Sequence, residues 1–145
     1  MEADILRLVL DTSVVVAAFR SRLGASNRLL RIVATNRARP LVTTSLFLEY
    51  EAVLKRPEQR RATGLDLAAV QQLLAALASS CEPVEVRFRW RPQLADPADE
   101  MVLEAAVNGR ADALVTHNIR DFAPAASRFG LLVATPGEMV RRIEG

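Results

Sequence analysis

The order of apolar runs and turn signals predicts a single three-layer α/β/α domain over residues 1–145, with a mainly parallel central sheet. Three observations lead there. An apolar run interrupted only by Arg7, Ile5 to Leu10, stops abruptly at Asp11-Thr12-Ser13. A second one, Ala113 to Val115, stops at Thr116-His117-Asn118. Between the strand-like runs lie helical patterns, the spacing that right-handed crossovers between parallel strands require. At 145 residues, half hydrophobic and a quarter charged, the chain has the length and composition of about one globular domain with a real core. It shows no internal repeat, long linker or low-complexity tract.

Taken in order, Ile5 to Leu10 reads as a central strand, and Val14 to Phe19 and Asn27 to Ala34 as helices. Gly24-Ala25-Ser26 breaks the two helices, with Ser26 as the N-cap of the second. Pro40 to Thr43 is a short strand and Thr44 to Leu54 a helix that Pro57 ends. Asp66 to Ser79 places Leu67, Val70, Leu73, Leu74 and Leu77 at helical spacing. Glu82 to Phe88 alternates and reads as an edge-like strand with Val84, Val86 and Phe88 on one face. Asp96-Pro97 opens a helix that Asn108-Gly109 stops. Ala113 to Val115 is a strand, Phe122 to Phe129 a helical turn and Leu131 to Ala134 the last strand. Pro136 opens the closing helix.

Composition narrows the chemistry. One cysteine, Cys81, excludes an intramolecular disulfide and a Cys-rich zinc site, and points to a small buried apolar role. One histidine, His117, cannot build a zinc site of the usual kind, so any bound metal must rest on oxygen. No apolar stretch reaches membrane-spanning length, and the N-terminus lacks a basic flank and signal-type core, so no membrane association and a cytoplasmic location are expected. The net charge of +2 is too small to argue for a nucleic-acid partner by itself. Every basic residue except Lys55 is arginine, with clusters at Arg20/Arg22, Arg60/Arg61 and Arg87/Arg89/Arg91. That usage suits phosphate recognition and is equally compatible with genome base composition.

The acids carry the functional signal. In open parallel sheets, functional groups gather outside the carboxyl ends of the strands, and carboxylates there are hard ligands for Mg²⁺ or Mn²⁺. Asp11 closes the first strand; it could cap the next helix, but Thr12 and Ser13 could do so equally well. Glu49 sits among Leu46, Phe47, Leu48 and Tyr50, where an acid needs a partner or a metal. Its neighbour Glu51 is expected on the solvated face, paired with Lys55 at i,i+4. Asp96 reads as an N-cap. Asp99 shares an inward stripe with Leu103 and Ala106 and is favoured as the metal-facing acid, with Glu100 as runner-up. Thr116 can donate to a carboxylate or phosphate, and Asn118 can orient a water or bind metal weakly. Asp121 either contacts metal or caps the turn before Phe122. Asp112 reads as a turn residue.

These residues, in this order, resemble the PIN domain, the nuclease fold of many toxin–antitoxin toxins, and in particular its bacterial VapC-like branch. The matching stretches are LVLDTSVVVAAF, TTSLFLEYEAVLKRPE, DPADEMVLEAAVNGRADALVTHNIRDF and ATPGEMV, which together span nearly the whole chain in family order. The resemblance implies Mg²⁺- or Mn²⁺-dependent cleavage of RNA, often by a homodimer, and neutralisation by a cognate antitoxin. By the same resemblance Asp11, Glu49 and Asp99 are catalytic, metal-binding acids. The family's fourth acid is Asn118 here, and Asp121, three residues on, is the substitute; Thr12, Ser13, Glu100 and Thr116 are supporting candidates. The alternative is a degenerate PIN domain that binds RNA or a protein without cutting. Receiver-like or haloacid-dehalogenase-like phosphotransfer fits poorly, because Ser13 stands where the latter needs a second Asp and the only lysine, Lys55, is mid-chain.

Overall fold

Residues 5–89 and 93–145 are described by the computed structural model of the chain. Its first strand, β1 (Leu6–Leu10), leads at once into α1 (Thr12–Arg20), which Ser21 to Gly24 separate from α2 (Ala25–Ala34). Then follow β2 (Ala38–Val42), α3 (Thr44–Leu54), α4 (Pro57–Thr63), α5 (Leu67–Ser80) and β3 (Glu82–Pro83). The second half runs α6 (Pro97–Gly109), β4 (Ala113–Val115), α7 (Ile119–Phe129), β5 (Val133–Ala134) and α8 (Pro136–Glu144). The strands form one sheet in the order β3-β2-β1-β4-β5, and every pairing is parallel. This is the α/β/α architecture the alternation predicts.

β1 is the middle strand, with Leu8 and Val9 fully buried and Leu10 nearly so. Helices therefore cover both of its faces, which is why its sequence is apolar at consecutive positions rather than at alternate ones. Val14 and Val15 of α1, Leu29 and Ile32 of α2, Leu46 of α3 and Phe122 of α7 complete the core around it. Among the described residues no single helix is long and apolar enough to cross a membrane.

Several boundaries differ from the sequence expectation, each for a physical reason. α2 starts at Ala25 with Gly24 at its N-cap, so Ser26 does not cap; it is buried, with Oγ 3.0 Å from His117 Nε2. α4 was not anticipated because it buries no side chain and so leaves no apolar stripe; Pro57 does not merely end α3 but opens α4. α7 begins at Ile119, three residues before the expected turn, since its first turn is largely polar. The expected strand over Glu82 to Phe88 survives only at Glu82–Pro83. β2 ends at Val42, so the chain beyond Val84, whose N–H still bonds Val42 O at 2.9 Å, has no strand to pair with. The Asn108 side chain captures it instead, with Oδ1 accepting from the Arg87 and Phe88 amides and Nδ2 donating to Phe88 O.

The sequence makes Asn108-Gly109 the stop of α6, where glycine commonly takes the left-handed position after the last turn. Gly109 is instead the last helical residue, and Arg110 takes the left-handed turn at φ 51°. A Cβ on Gly109 would lie 2.9 Å from both Leu41 Cδ1 and Val84 Cγ2, so glycine serves the close approach of α6 to β2. Gly109→Ala should therefore lower stability by about 1–3 kcal/mol through overpacking. Arg110→Gly should raise it by roughly 0.5–1 kcal/mol by relieving the left-handed side chain, net of the freedom glycine adds to the unfolded chain. Urea denaturation of the two variants checks both signs.

Candidate active site

Asp11 occupies the N-cap position of α1, yet its carboxylate makes no capping hydrogen bond. It is buried, and Oδ2 accepts from two hydroxyls, Ser13 Oγ at 2.9 Å and Thr116 Oγ1 at 2.7 Å. Thr116 is fully buried at the end of β4, and its Oγ1 also accepts from the Asn118 amide at 2.9 Å. The strand ends thus lock together: the Asp11 amide donates to Val115 O at 2.9 Å, and the loop after β4 holds the Asp11 side chain. A buried carboxylate held in this way, and not used to cap its helix, is free to present its other oxygen to a ligand.

Asp99 lies in the first turn of α6, half-buried, above Leu103 and Ala106, which are both buried. Burial first, and then the charges of Asp11, Asp96 and Asp121, push its carboxyl up to about 6. Asp11 at the end of β1, Asp96 and Asp99 at the start of α6, and Asp121 in the first turn of α7 therefore share one electrostatic neighbourhood. None of the ion pairs among the described residues includes Asp11 or Asp99. Like charges gathered without a cation favour either a proton or a multivalent ion.

The remaining candidates fall into place differently. Tyr50 Oη donates to Leu10 O at 2.5 Å, which brings this part of α3, with Glu49 beside it, to the carboxyl end of β1. Glu49 is half-buried, and none of the ion pairs among the described residues includes its carboxylate. Among the described residues no three Asp, Glu, His or Cys side chains already stand close enough to cage an ion. Asp11 and Asp99 thus lie within electrostatic reach of each other, with Glu49 toward the same end of β1, and the described residues do not form the expected common-ion cluster. Glu100 is buried with Oε1 accepting from the Gln93 and Leu94 amides at 2.5 and 2.7 Å. That oxygen is committed to shaping the loop before α6. Asp96 caps α6 through Ala98 N, as expected, and Glu51 pairs with Lys55 at 3.3 Å. Asp112 Oδ2 accepts from Arg7 N. Asn118 is exposed at the N-cap of α7 with no side-chain cap, and Asp121 is exposed. Thr12 is half-buried in the first turn of α1. Burial pushes the Cys81 thiol up to about 11, in keeping with an unreactive packed cysteine.

Residues 7–120 match the family model of the PIN domain. The chain belongs to the PIN-domain family. No curated protein sequence matches it. Two solved structures share the fold: VapBC2 from Rickettsia felis bound to a DNA fragment from its promoter, and DNA-bound VapBC from Salmonella typhimurium. The first is 17% identical with a TM-score of 0.57, the second 18% identical with a TM-score of 0.58. Each comparison covers 90% of this chain and 98% of the other. PIN domains are in general nucleases, and the acids at the carboxyl end of the sheet occupy the place where such an α/β fold collects its chemistry.

At the end of β2, on the side of β3, a cavity of about 450 Å³ opens in this PIN domain, lined by Thr43, Thr44, Ser45, Glu85, Arg87 and Arg89 among others. Two of the arginines noted in the sequence, Arg87 and Arg89, thus border the end of β2.

The raised Asp99 carboxyl has a thermodynamic consequence. Its folded value, about 6, lies above the ordinary 3.8, so the fold binds this proton more tightly than the unfolded chain does. That contribution to stability is complete below about pH 4 and is lost as pH rises through 6. Asp99→Asn should therefore gain stability relative to the native protein as pH rises from 4 to 7 in EDTA, with little difference at pH 4. Denaturation curves across that range test this. Thr116→Val should cost roughly 1–3 kcal/mol, because it removes a donor from a buried carboxylate.

Proposed function

We propose that this PIN domain is a Mg²⁺- or Mn²⁺-dependent endoribonuclease, acting in the cytoplasm as the toxin of a toxin–antitoxin pair. The observation that carries the reading is Asp11: a buried carboxylate released from helix capping, steadied by Ser13 and Thr116, and close enough to Asp99 to raise its proton affinity. The donor set suits the ion. Hard oxygen ligands with no cation to neutralise them match Mg²⁺ or Mn²⁺, and neither Cys81 nor His117 joins them. Asp11 and Asp99 would hold the ion, with Glu49 joining from α3 and Asn118 or Asp121 completing the set from the loop after β4. When bound, such an ion lowers the pKa of a coordinated water and offsets charge developing on the scissile phosphate.

The chain's own groups prepare this. Ser13 and Thr116 orient Asp11, and the crowding around Asp99 is relieved when a cation replaces its proton. Arg87 and Arg89, lining the cavity at the end of β2, offer phosphate-binding forks. Single-stranded RNA supplies a backbone accessible to such a cleft. The likeness to two VapBC assemblies supports an antitoxin as protein partner, and the family resemblance supports a homodimer.

A second reading has its own support. The neutral Asn118 in the fourth-acid position, and the lack of a three-acid cage among the described residues, favour a degenerate PIN domain that binds RNA or a protein without cutting. Incubation of the purified protein with single-stranded RNA separates the two. The nuclease reading expects cleavage with Mg²⁺ or Mn²⁺ that EDTA abolishes and Asp11→Asn lowers at least about a hundredfold. Binding with no cleavage under either ion would favour the degenerate domain. Within an active enzyme, Asn118→Asp should raise cleavage if that position faces the ion. Loss of cleavage in Asp121→Asn would instead place the fourth ligand at Asp121.

A further inference from the structure

The register pairs of β1 with β2 end at Leu8 and Pro40, two residues before β1 itself ends. Beyond that point β2 keeps its pairing to β3, through Leu41–Glu82 and Val42–Pro83, and then turns into α3. No register pair joins Val9 or Leu10 to β2. The peptide joining Leu10 to Asp11 lies just beyond the paired stretch. Its N–H donates to Val115 O on β4 at 2.9 Å. In a trans peptide the carbonyl points the opposite way, so Leu10 O faces the side of β2. A buried carbonyl there needs a donor from elsewhere.

Tyr50 supplies it. Its ring is 2% exposed, and its hydroxyl donates to Leu10 O at 2.5 Å. Phe47, one turn earlier on α3, meets the ring edge-on with centroids 6.2 Å apart and an interplanar angle of 66°, which fixes the direction of the hydroxyl. The peptide before Asp11 is thus held from both sides, by β4 through its N–H and by α3 through its carbonyl. The residue preceding Tyr50 is Glu49. One hydrogen bond therefore couples the strand that carries Asp11 to the helix that carries Glu49.

We propose that Tyr50 is a positioning residue: its hydroxyl, bound to the carbonyl of the peptide leading into Asp11, sets the placement of Asp11 relative to Glu49 and so the grip of the site on a divalent ion. This rests on the metal-binding reading of the site. Tyr50 touches neither the ion nor the substrate; it acts through the backbone.

Tyr50→Phe keeps the ring and its contact with Phe47 and removes only the hydroxyl. Mn²⁺ titration followed by electron paramagnetic resonance, together with hydrogen exchange at the Asp11 amide, reads the effect. Val53→Ala is the control, since it opens the core on the same helix without removing a hydrogen bond. Tyr50→Phe should weaken Mn²⁺ binding about tenfold, the scale seen when an outer hydrogen-bond partner of a metal site is lost. It should also speed exchange at Asp11, whereas Val53→Ala should lower the melting temperature and leave Mn²⁺ affinity as in the native protein. Native affinity in Tyr50→Phe, or equal weakening in Val53→Ala, would overturn the proposal. If the native protein binds no Mn²⁺, the metal reading fails by itself. Exchange at Asp11 then decides whether Tyr50 positions this peptide, with unchanged exchange in Tyr50→Phe overturning it.

Discussion

β1 is paired along both edges and covered on both faces, so the core fixes where it ends rather than any contact at the site. Burial of Leu8, Val9 and Leu10 contributes roughly 1.5–3 kcal/mol each. That is enough to keep the following residue in place even though it is a buried acid. Asp11 takes its position from this strand, Thr116 from the neighbouring β4, and the two meet because the strands run parallel and stop at the same level. The charges of Asp96 and Asp99 on α6 and of Asp121 on α7 lie within electrostatic reach of that end of the strand.

Charge is distributed to the same end. The described arginines that make ion pairs do so with other acids: Arg7 and Arg39 with Glu82 at the sheet edge, Arg28 with Glu144 between α2 and α8, and Arg87 with Glu85 after β3. Pairs as exposed as these add little to stability. Their arrangement matters more for what it leaves out, since no described ion pair neutralises Asp11 or Asp99. The fold thus tolerates an unfavourable accumulation of like charge at one place and offsets it with the core. Sites that must bind a cation commonly carry local cost of this kind.

Hydrogen bonds from side chain to backbone shape the rest of the region. Glu100 folds back onto the amides of Gln93 and Leu94, Asn108 holds the chain at Arg87 and Phe88, and Tyr50 donates to the carbonyl of Leu10. Each satisfies backbone groups at a point where a strand or helix stops. An acid, an amide and a phenol, all of which could have served chemistry directly, act here as parts of the frame.

Much of this protein was legible in the residues themselves. Continuous apolar runs marked β1 and β4 because a strand buried on both faces has no polar alternation. The capping acid and proline marked the start of α6, and an apolar stripe marked α3 and α5. The same reasoning failed where a segment buries nothing, as in α4, and where alternation had no partner strand, as after Pro83. It separated Asp99 from Glu100 by helical spacing, but the two loop amides that Glu100 holds lie outside any periodicity. It read Tyr50 as one more apolar position, since a phenol at helical spacing says nothing about a carbonyl forty residues earlier. Local pattern determined the elements and their order, because propensity and burial act over a few residues. Only the packed structure decided which polar atoms meet, because those contacts join residues far apart in the chain.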